Sequence, residues 1–540
     1  MQKAGINAQH DIINHVPDSH TKKYRRLLVG VLFLVYTLIQ SYSITQLTIN
    51  YDEESFLQYG ITLLKGQANK DINRFDSKLP ITALNALPRA VQQLADPALK
   101  KNNPEEDIIA GRFISLMASI LLGILIYSWS IQWYGFSAGL YSLIFYLLCP
   151  NFLAHGIFLS SDIYACLFIA LTIYFFSRFW TTGKNMDFLF FSLCFALGQI
   201  SKFSLLHMIP VVGIIAAIKW YTINEKRSFF SKRHLALGLT FLLVNWLVIS
   251  GSHLFYDLFF PLDKYAYRSQ AFQSVTGFLG HFAGYVYVPL PSSYFRSIDL
   301  VLYFDNLGGG VPGALNGKPY ILGQFSTHGF WYYYLVSSFY KIPIPFIVII
   351  LSSLVLYAIK CKRSSFLERE VFLAVPFLYY LVYMSFLYST QVGIRHFMIV
   401  FPFLFVFAGF FFREIISGSY KKLILLLIIW QLFSVGAYFP HFLPYTNEFI
   451  LKKKNAYKKI ADSNLCYREG GGYLKKYMAS HKNAIYRPAG PVTGIVVVEV
   501  NDFLGIQDDS IEGTYDWLKG YEPVDHIHSQ YLIFDIPVKK

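Results

Sequence analysis

Stretches of about twenty consecutive apolar residues recur along this chain, and nothing else in it constrains the fold as strongly. At 1.5 Å per residue such a stretch spans the ~30 Å hydrocarbon core of a bilayer. In hydrocarbon every backbone polar group must be satisfied internally, so each stretch has to be a helix. About eleven are expected. They are Leu27–Leu47, Ile109–Trp129, Phe136–Leu153, Ile163–Trp180, Phe188–Lys202, Leu205–Tyr221, Leu235–Phe255, Ile344–Ile359, Val371–Tyr388, Phe397–Phe412 and Leu423–Phe439. The composition agrees: 54% of the 540 residues are hydrophobic and only 15% charged, against ~25% in soluble domains. Residues 1–26 are polar and the first run is long enough to remain as a span, so no cleavable signal peptide is expected.

Lys and Arg set the expected orientation. Lys22, Lys23, Arg25 and Arg26 precede the first span, which places the N-terminus in the cytoplasm. Counting eleven crossings then puts every basic cluster of a short loop on that same side. The predicted organisation is a cytoplasmic segment 1–26 and a membrane domain 27–439, with outer loops 48–108 and 256–341. An extracytoplasmic domain, 440–540, completes it. The last is read as a small α/β domain, because Gly494–Val500 and Gln530–Asp535 alternate or run apolar as strands do. The fold class expected is therefore an all-α polytopic membrane protein with a small C-terminal α/β domain.

The net charge of +14 does not indicate nucleic acid, because the basic residues are scattered between apolar runs rather than gathered on one domain. Five cysteines, mostly within or beside apolar runs and never as CxxC, indicate neither a disulfide framework nor a zinc site.

Polar residues at the ends of the spans carry the functional argument. Asp52, Glu53 and Glu54 follow the first span, and Lys78 lies in the same outer loop. Asp162 opens the fourth span, Lys202 ends the fifth, and Arg395 with His396 stands at the mouth of the tenth. Each has an ordinary reading. Cations at span ends snorkel to head groups, an Asp at a helix start caps it, and adjacent carboxylates form a solvated collar. Together they place acids and bases, from distant parts of the chain, on one face of the membrane. That pattern suits chemistry on an anionic lipid head group, with cations holding phosphate and a carboxylate taking a proton. A transporter or flippase of lipid-linked sugars is the alternative; it predicts charges at mid-span and an internal repeat. A non-catalytic scaffold that binds a polyprenyl lipid is a further one.

Several motifs, in order, resemble those of the C-type membrane glycosyltransferases, in the branch of the protein O-mannosyltransferases and the lipid A aminoarabinose transferase. They are Tyr51-Asp-Glu53 with Tyr59-Gly60, Phe75-Asp-Ser-Lys-Leu-Pro80, Ser161-Asp162, Gly198-Gln-Ile-Ser-Lys202, the long-loop segment Tyr320–Trp331 and Gly393-Ile-Arg-His396. The tail adds Ala461-Asp-Ser-Asn-Leu465. There this chain departs from its relatives, reading Cys466-Tyr-Arg-Glu-Gly-Gly-Gly472 where they often have Asp-Trp-Gly-Gln. The resemblance implies inverting transfer of a hexosyl or pentosyl unit from a polyprenyl-phosphate donor. The acceptor would be a glycan, lipid or protein outside the inner membrane. It implies Asp52 as the catalytic base, Glu53 and Asp162 as its helpers, and Lys78, Lys202, Arg395 and His396 as ligands of the donor phosphate. A divalent metal is possible, since metal use differs among relatives, but no HxxxH or comparable ligand cluster is present.

Overall fold

The computed structural model describes residues 19–70, 78–95, 104–222, 231–308, 318–416, 421–506 and 513–538. Among them seven helices are long and apolar enough to cross a membrane: Lys23–Gln46, Pro104–Tyr134, Asp162–Thr182, Phe203–Thr222, Lys232–Ser252, Arg363–Phe386 and Ile394–Ile416. An eighth crossing arises if Tyr333–Lys341 and Ile344–Lys360, bent by 118° at their junction, form one broken span. This corrects the expected eleven.

Apolar runs did become helices, but three are too short to reach across hydrocarbon. Phe136–Leu147 has 12 residues, Asn185–Gln199 has 15 and Lys421–Gly436 has 16. Local breakers set these lengths. Gly135, at φ +90°, precedes the first of them, and Pro150 starts a new helix just beyond it. The Asn185–Gln199 helix ends before Lys202, whose backbone is extended. With seven or eight crossings, the parity that fixed the sidedness of every basic cluster no longer applies.

The Pro104–Tyr134, Asp162–Thr182 and Ile394–Ile416 helices pack together at the centre, around Trp129. Its indole meets Trp133, Tyr174 and Phe403 edge-on at 5.3, 5.4 and 6.3 Å between ring centroids. Gly409 permits the close approach, because a Cβ there would collide with the Ser130 hydroxyl and the Tyr134 ring. Small residues at such crossings are how membrane helices gain packing contact without a hydrophobic driving force. Lys232–Ser252 lies at the periphery and turns Leu235, Leu239, Leu242 and Leu243 outward.

The tail builds a four-stranded sheet. Gly494–Glu499 pairs in parallel with Ile485–Tyr486 and antiparallel with Tyr531–Ile536, which also pairs antiparallel with Asp525–Ile527. The two strands read from the sequence are its centre. Strand side chains alternate between faces, and here both faces are covered. Val496, Val498, Leu532 and Phe534 join a core with Ile460 and Phe503, while Val497 and Ile533 face Tyr473, Leu474 and Tyr477 near the Gly471–Ser480 helix.

Glu499 ends the central strand buried, accepting the Cys466 thiol at 3.2 Å. Burial, reinforced by nearby Asp502, raises its carboxyl from 4.5 to about 7. The folded state therefore binds more protons than the unfolded chain between those values. Stability falls as pH rises from 4.5 to about 7 and levels off above. Glu499→Gln should raise the thermal midpoint of the full chain by roughly 2 °C or more at pH 8 and leave it unchanged at pH 4.5. An equal shift at both pH values would show that folding does not raise the Glu499 carboxyl.

Candidate functional site

The first loop aims its neighbouring carboxylates in opposite directions. Asn50 caps the Glu53–Leu64 helix, its side-chain oxygen accepting the Asp52 and Glu53 amides at 3.0 and 3.1 Å. That turn points Glu53 inward. Its oxygens accept Arg112 Nε at 2.8 Å and Nη2 at 2.6 Å, the Leu159 amide at 3.0 Å and the Asn50 amide at 2.9 Å. Both side chains are buried, at 0 and 1% exposure. Arg112 also donates to the carbonyls of Ile44, Leu47 and Thr48, at the end of the first span. Glu53 thus ties three elements together, with four donors on its carboxylate. Glu54 is exposed.

Asp52 faces the other way, half-buried. Its Oδ2 accepts Arg395 Nη1 at 3.3 Å and the Tyr467 hydroxyl. The Arg395 guanidinium stacks 4.6 Å above the Tyr467 ring and donates to its hydroxyl. Phe75-Asp-Ser77 of its motif lies outside the described residues, and Lys78 holds its amine 4.8 Å over the Phe56 ring, on the helix that Asp52 precedes. Burial pushes the Asp52 carboxyl up, but the charges of Arg395 and Lys78 and the Tyr467 hydrogen bond outweigh it and hold the carboxyl below its ordinary value. Among the described residues, the buried Nε of Arg395 has no acceptor. A second pair stands beside the first: Lys202 Nζ donates to Asp162 Oδ1 at 2.5 Å. The extended backbone at Lys202, between two helices, lets its amine reach the first residue of the Asp162–Thr182 helix. His396 points to the Tyr388 hydroxyl, 2.9 Å from its Nδ1.

The tail supplies residues that the sequence reading quoted as motifs without placing them at the site. Ser463 Oγ donates to the Val392 carbonyl at 2.8 Å, and Asn464 Oδ1 accepts the Ile394 amide at 2.9 Å. These bonds grip both sides of Gly393, whose φ of +78° turns the chain into Arg395. A side chain at 393 would strike Ser463. Buried Lys341 donates to the Asn464 carbonyl at 2.7 Å, from the end of the Tyr333–Lys341 helix. Beyond the clamp comes Tyr467, then Glu469, which accepts the Tyr467 amide at 2.8 Å and lies 2.6 Å from His441 Nε2. The Cys466–Gly472 segment therefore delivers a hydroxyl to Asp52. Its departure from the pattern that the sequence resembles was the available signal. A second carboxylate, Asp462, also lies close enough to feel both Arg395 and Asp52. Burial raises it above its ordinary value against the pull of Arg395, and the Asp52 charge adds to the rise. Two carboxyl groups whose environments push them apart can divide acid and base roles.

Chemically, Arg395, Lys202 and Lys78 are three cations that can meet an anion, with the Asp52 and Asp162 carboxylates beside them. Among the described residues, no group of three His, Cys, Asp or Glu is placed to hold a metal ion.

A family profile described as dolichyl-phosphate-mannose-protein mannosyltransferase matches residues 105–250. No curated protein matches the chain. Among solved structures, ArnT from Cupriavidus metallidurans bound to undecaprenyl phosphate aligns at 10% identity and a TM-score of 0.47, over 94% of this chain and 97% of that one. The archaeal oligosaccharyltransferase AglB from Archaeoglobus fulgidus, in complex with an inhibitory peptide and a dolichol-phosphate, aligns at 12% identity and a TM-score of 0.44, over 85% of this chain and 60% of that one. The Archaeoglobus fulgidus oligosaccharyltransferase in complex with zinc and sulfate aligns at 12% identity and 0.43, over 83% and 57%. The chain thus spans less than two thirds of these archaeal proteins. Through the match over residues 105–250, it is distantly similar to the C-type glycosyltransferases, without a narrower family being shown.

Proposed function

We propose that the protein transfers one sugar, hexosyl or pentosyl, from a polyprenyl-phosphate donor to an acceptor hydroxyl or amine, with inversion. The reaction takes place on the membrane face that carries the tail domain, read as the periplasmic or extracellular side, with the N-terminus cytoplasmic. The observation that carries this reading is the half-buried Asp52 carboxylate paired with an arginine whose buried Nε has no acceptor among the described residues. The family match over residues 105–250 favours the same chemistry.

In this reading the acceptor atom attacks the anomeric carbon as the bond from that carbon to the phosphate oxygen breaks. The acceptor proton passes to Asp52, and the electron pair leaves on polyprenyl phosphate. Arg395, Lys202 and Lys78 take up the charge that grows on the leaving phosphate, as preorganised donors do most effectively. His396 is assigned to the same phosphate. Asp162 holds Lys202 in place until the donor arrives, and Glu53 positions the loop that presents Asp52. A phosphate drawing Arg395 to itself would also release Asp52 from its ion pair and make it a stronger base at the moment one is needed.

Purified protein in lipid nanodiscs, given a panel of radiolabelled polyprenyl-phosphate sugars with simple acceptors, should release polyprenyl phosphate and form a product of inverted anomeric configuration. Absence of release from every donor in the panel would set the reading aside. Release with retained configuration would remove the single-displacement mechanism.

A further inference from the structure

The loop after the Lys232–Ser252 span carries a feature the transfer reaction does not use. From Ser269 to Phe295 there is no Asp, Glu, Lys or Arg, although 15% of the chain is charged. The stretch comprises the Gln270–Leu279 helix, a turn of helix at Gly280–Tyr285, and the strand Tyr287–Val288 paired with Phe260–Pro261. None of the ten residues of the Gln270–Leu279 helix is buried. Phe278 is 91% exposed, Tyr285 81% and Phe282 71%, with Val275 and Tyr287 also outward. This is not a core left open, because the module has its own: Phe260, Leu262, Tyr267 and Val288 are buried together. Its inner face is filled, and among the described residues nothing covers its aromatic outer face.

We infer that this aromatic hairpin seats in the bilayer leaflet on the side of the proposed site. Three observations select lipid as the occupant. Trp246 donates its indole N–H to the Pro289 carbonyl at 2.7 Å. Trp246 stands six residues before the end of its span, ~9 Å below it along the helix axis, so the chain returns to membrane depth at Pro289. Leu247 beside Trp246, and Leu254 and Phe255 just past the end of the span, are exposed as well. Along the chain, charge reappears at the ends of the stretch, at Arg268 and Arg296, where an interfacial segment meets head groups; in space, the Asp263 carboxylate lies beside Gly284 at the rim of the turn. Tyr and other amphipathic aromatics concentrate at that depth. An uncharged apolar face with flanking cations is how a helix lies in the interface rather than across it. The module is anchored to the protein by Tyr294, whose ring meets Phe203 at 5.5 Å and His253 at 5.6 Å. Phe203 directly follows Lys202, which puts the seated hairpin one packing layer from the proposed donor site. The inference itself does not depend on the reaction.

Fluorophores on single cysteines test it in full-length protein, in nanodiscs of phosphatidylethanolamine and phosphatidylglycerol. Phe278→Cys and Tyr285→Cys are compared with Lys482→Cys, an exposed position in the tail. The unsubstituted chain, whose Cys361 is half-buried, sets the background. Nitroxide-bearing lipid should quench positions 278 and 285 roughly threefold more than 482, and aqueous iodide should show the reverse order. Iodide quenching at 278 and 285 equal to that at 482 overturns the inference, since the hairpin would then stand in water. Protection from both quenchers also overturns it, because protein rather than lipid would be the cover. Two positions on separate elements keep the result readable if one variant fails to fold.

Discussion

Asp52→Asn is expected to lower kcat for sugar transfer by ~10²–10⁴-fold, the usual contribution of a general base, while leaving the donor KM within a few-fold. The substitution keeps the shape of the side chain and its ability to accept from Tyr467, and removes only the charge that pairs with Arg395 and the capacity to take a proton. Release of polyprenyl phosphate under saturating donor measures it. Asp462→Asn is the control that makes the result specific. If Asp462→Asn costs more turnover than Asp52→Asn, the base is Asp462, whose raised carboxyl is also near Arg395. The pH dependence adds a second reading. Asp52 acts ionised, and its carboxyl is held below its ordinary value, so kcat/KM should stay level as pH falls from 8 to 5 and decline only below that. The acid limb of kcat should lie at higher pH than that of kcat/KM. The first reports the donor-bound enzyme, in which Arg395 has turned to phosphate, and the second reports the free enzyme. Coincident limbs would mean that Arg395 does not leave Asp52 when donor binds.

Arg112→Met should destabilise the protein by about 3–5 kcal/mol, because it strips a buried carboxylate of its guanidinium partner. Glu53 would keep the Leu159 and Asn50 amides but lose both guanidinium bonds. Three carbonyls at the end of the first span would lose their donor as well. The double variant Glu53→Gln with Arg112→Met should recover much of that loss, since a neutral amide tolerates burial where a lone charge does not. Thermal unfolding of the single and double variants in nanodiscs gives the coupling between the two residues. A single variant that melts with the parent would show that the pair carries no net stability. The same experiment separates the roles of the adjacent acids. Glu53→Gln should cost activity in proportion to lost folded protein, whereas Asp52→Asn should cost activity in a protein that remains folded.

The apolar runs needed no tertiary information to be read as helices, because a long uncharged segment in lipid has no other way to satisfy its backbone. How many of them cross was not readable. The ends of Phe136–Leu147 and Asn185–Gln199 are decided by breaks at Gly135, Pro150 and the extended Lys202, and hydropathy averages over such breaks. The tail strands showed in their apolar patterning. Their order showed nowhere, since Ile485–Tyr486 pairs in parallel and Asp525–Ile527 takes the far edge.

At the candidate site the division is sharper. The sequence alone selected Asp52, Asp162, Lys202 and Arg395, because acids and bases from distant parts of the chain fall together at the ends of apolar runs on one expected face of the membrane. Only the tertiary structure decided what each one touches. Arg395 lies 343 residues from Asp52 in the chain and Tyr467 lies 415, and no local pattern encodes a contact across that distance. Two neighbouring carboxylates, alike in sequence, were separated the same way. Asp52 turned toward Arg395 and Glu53 toward Arg112, because Asn50 caps the helix between two partners that only folding brings together.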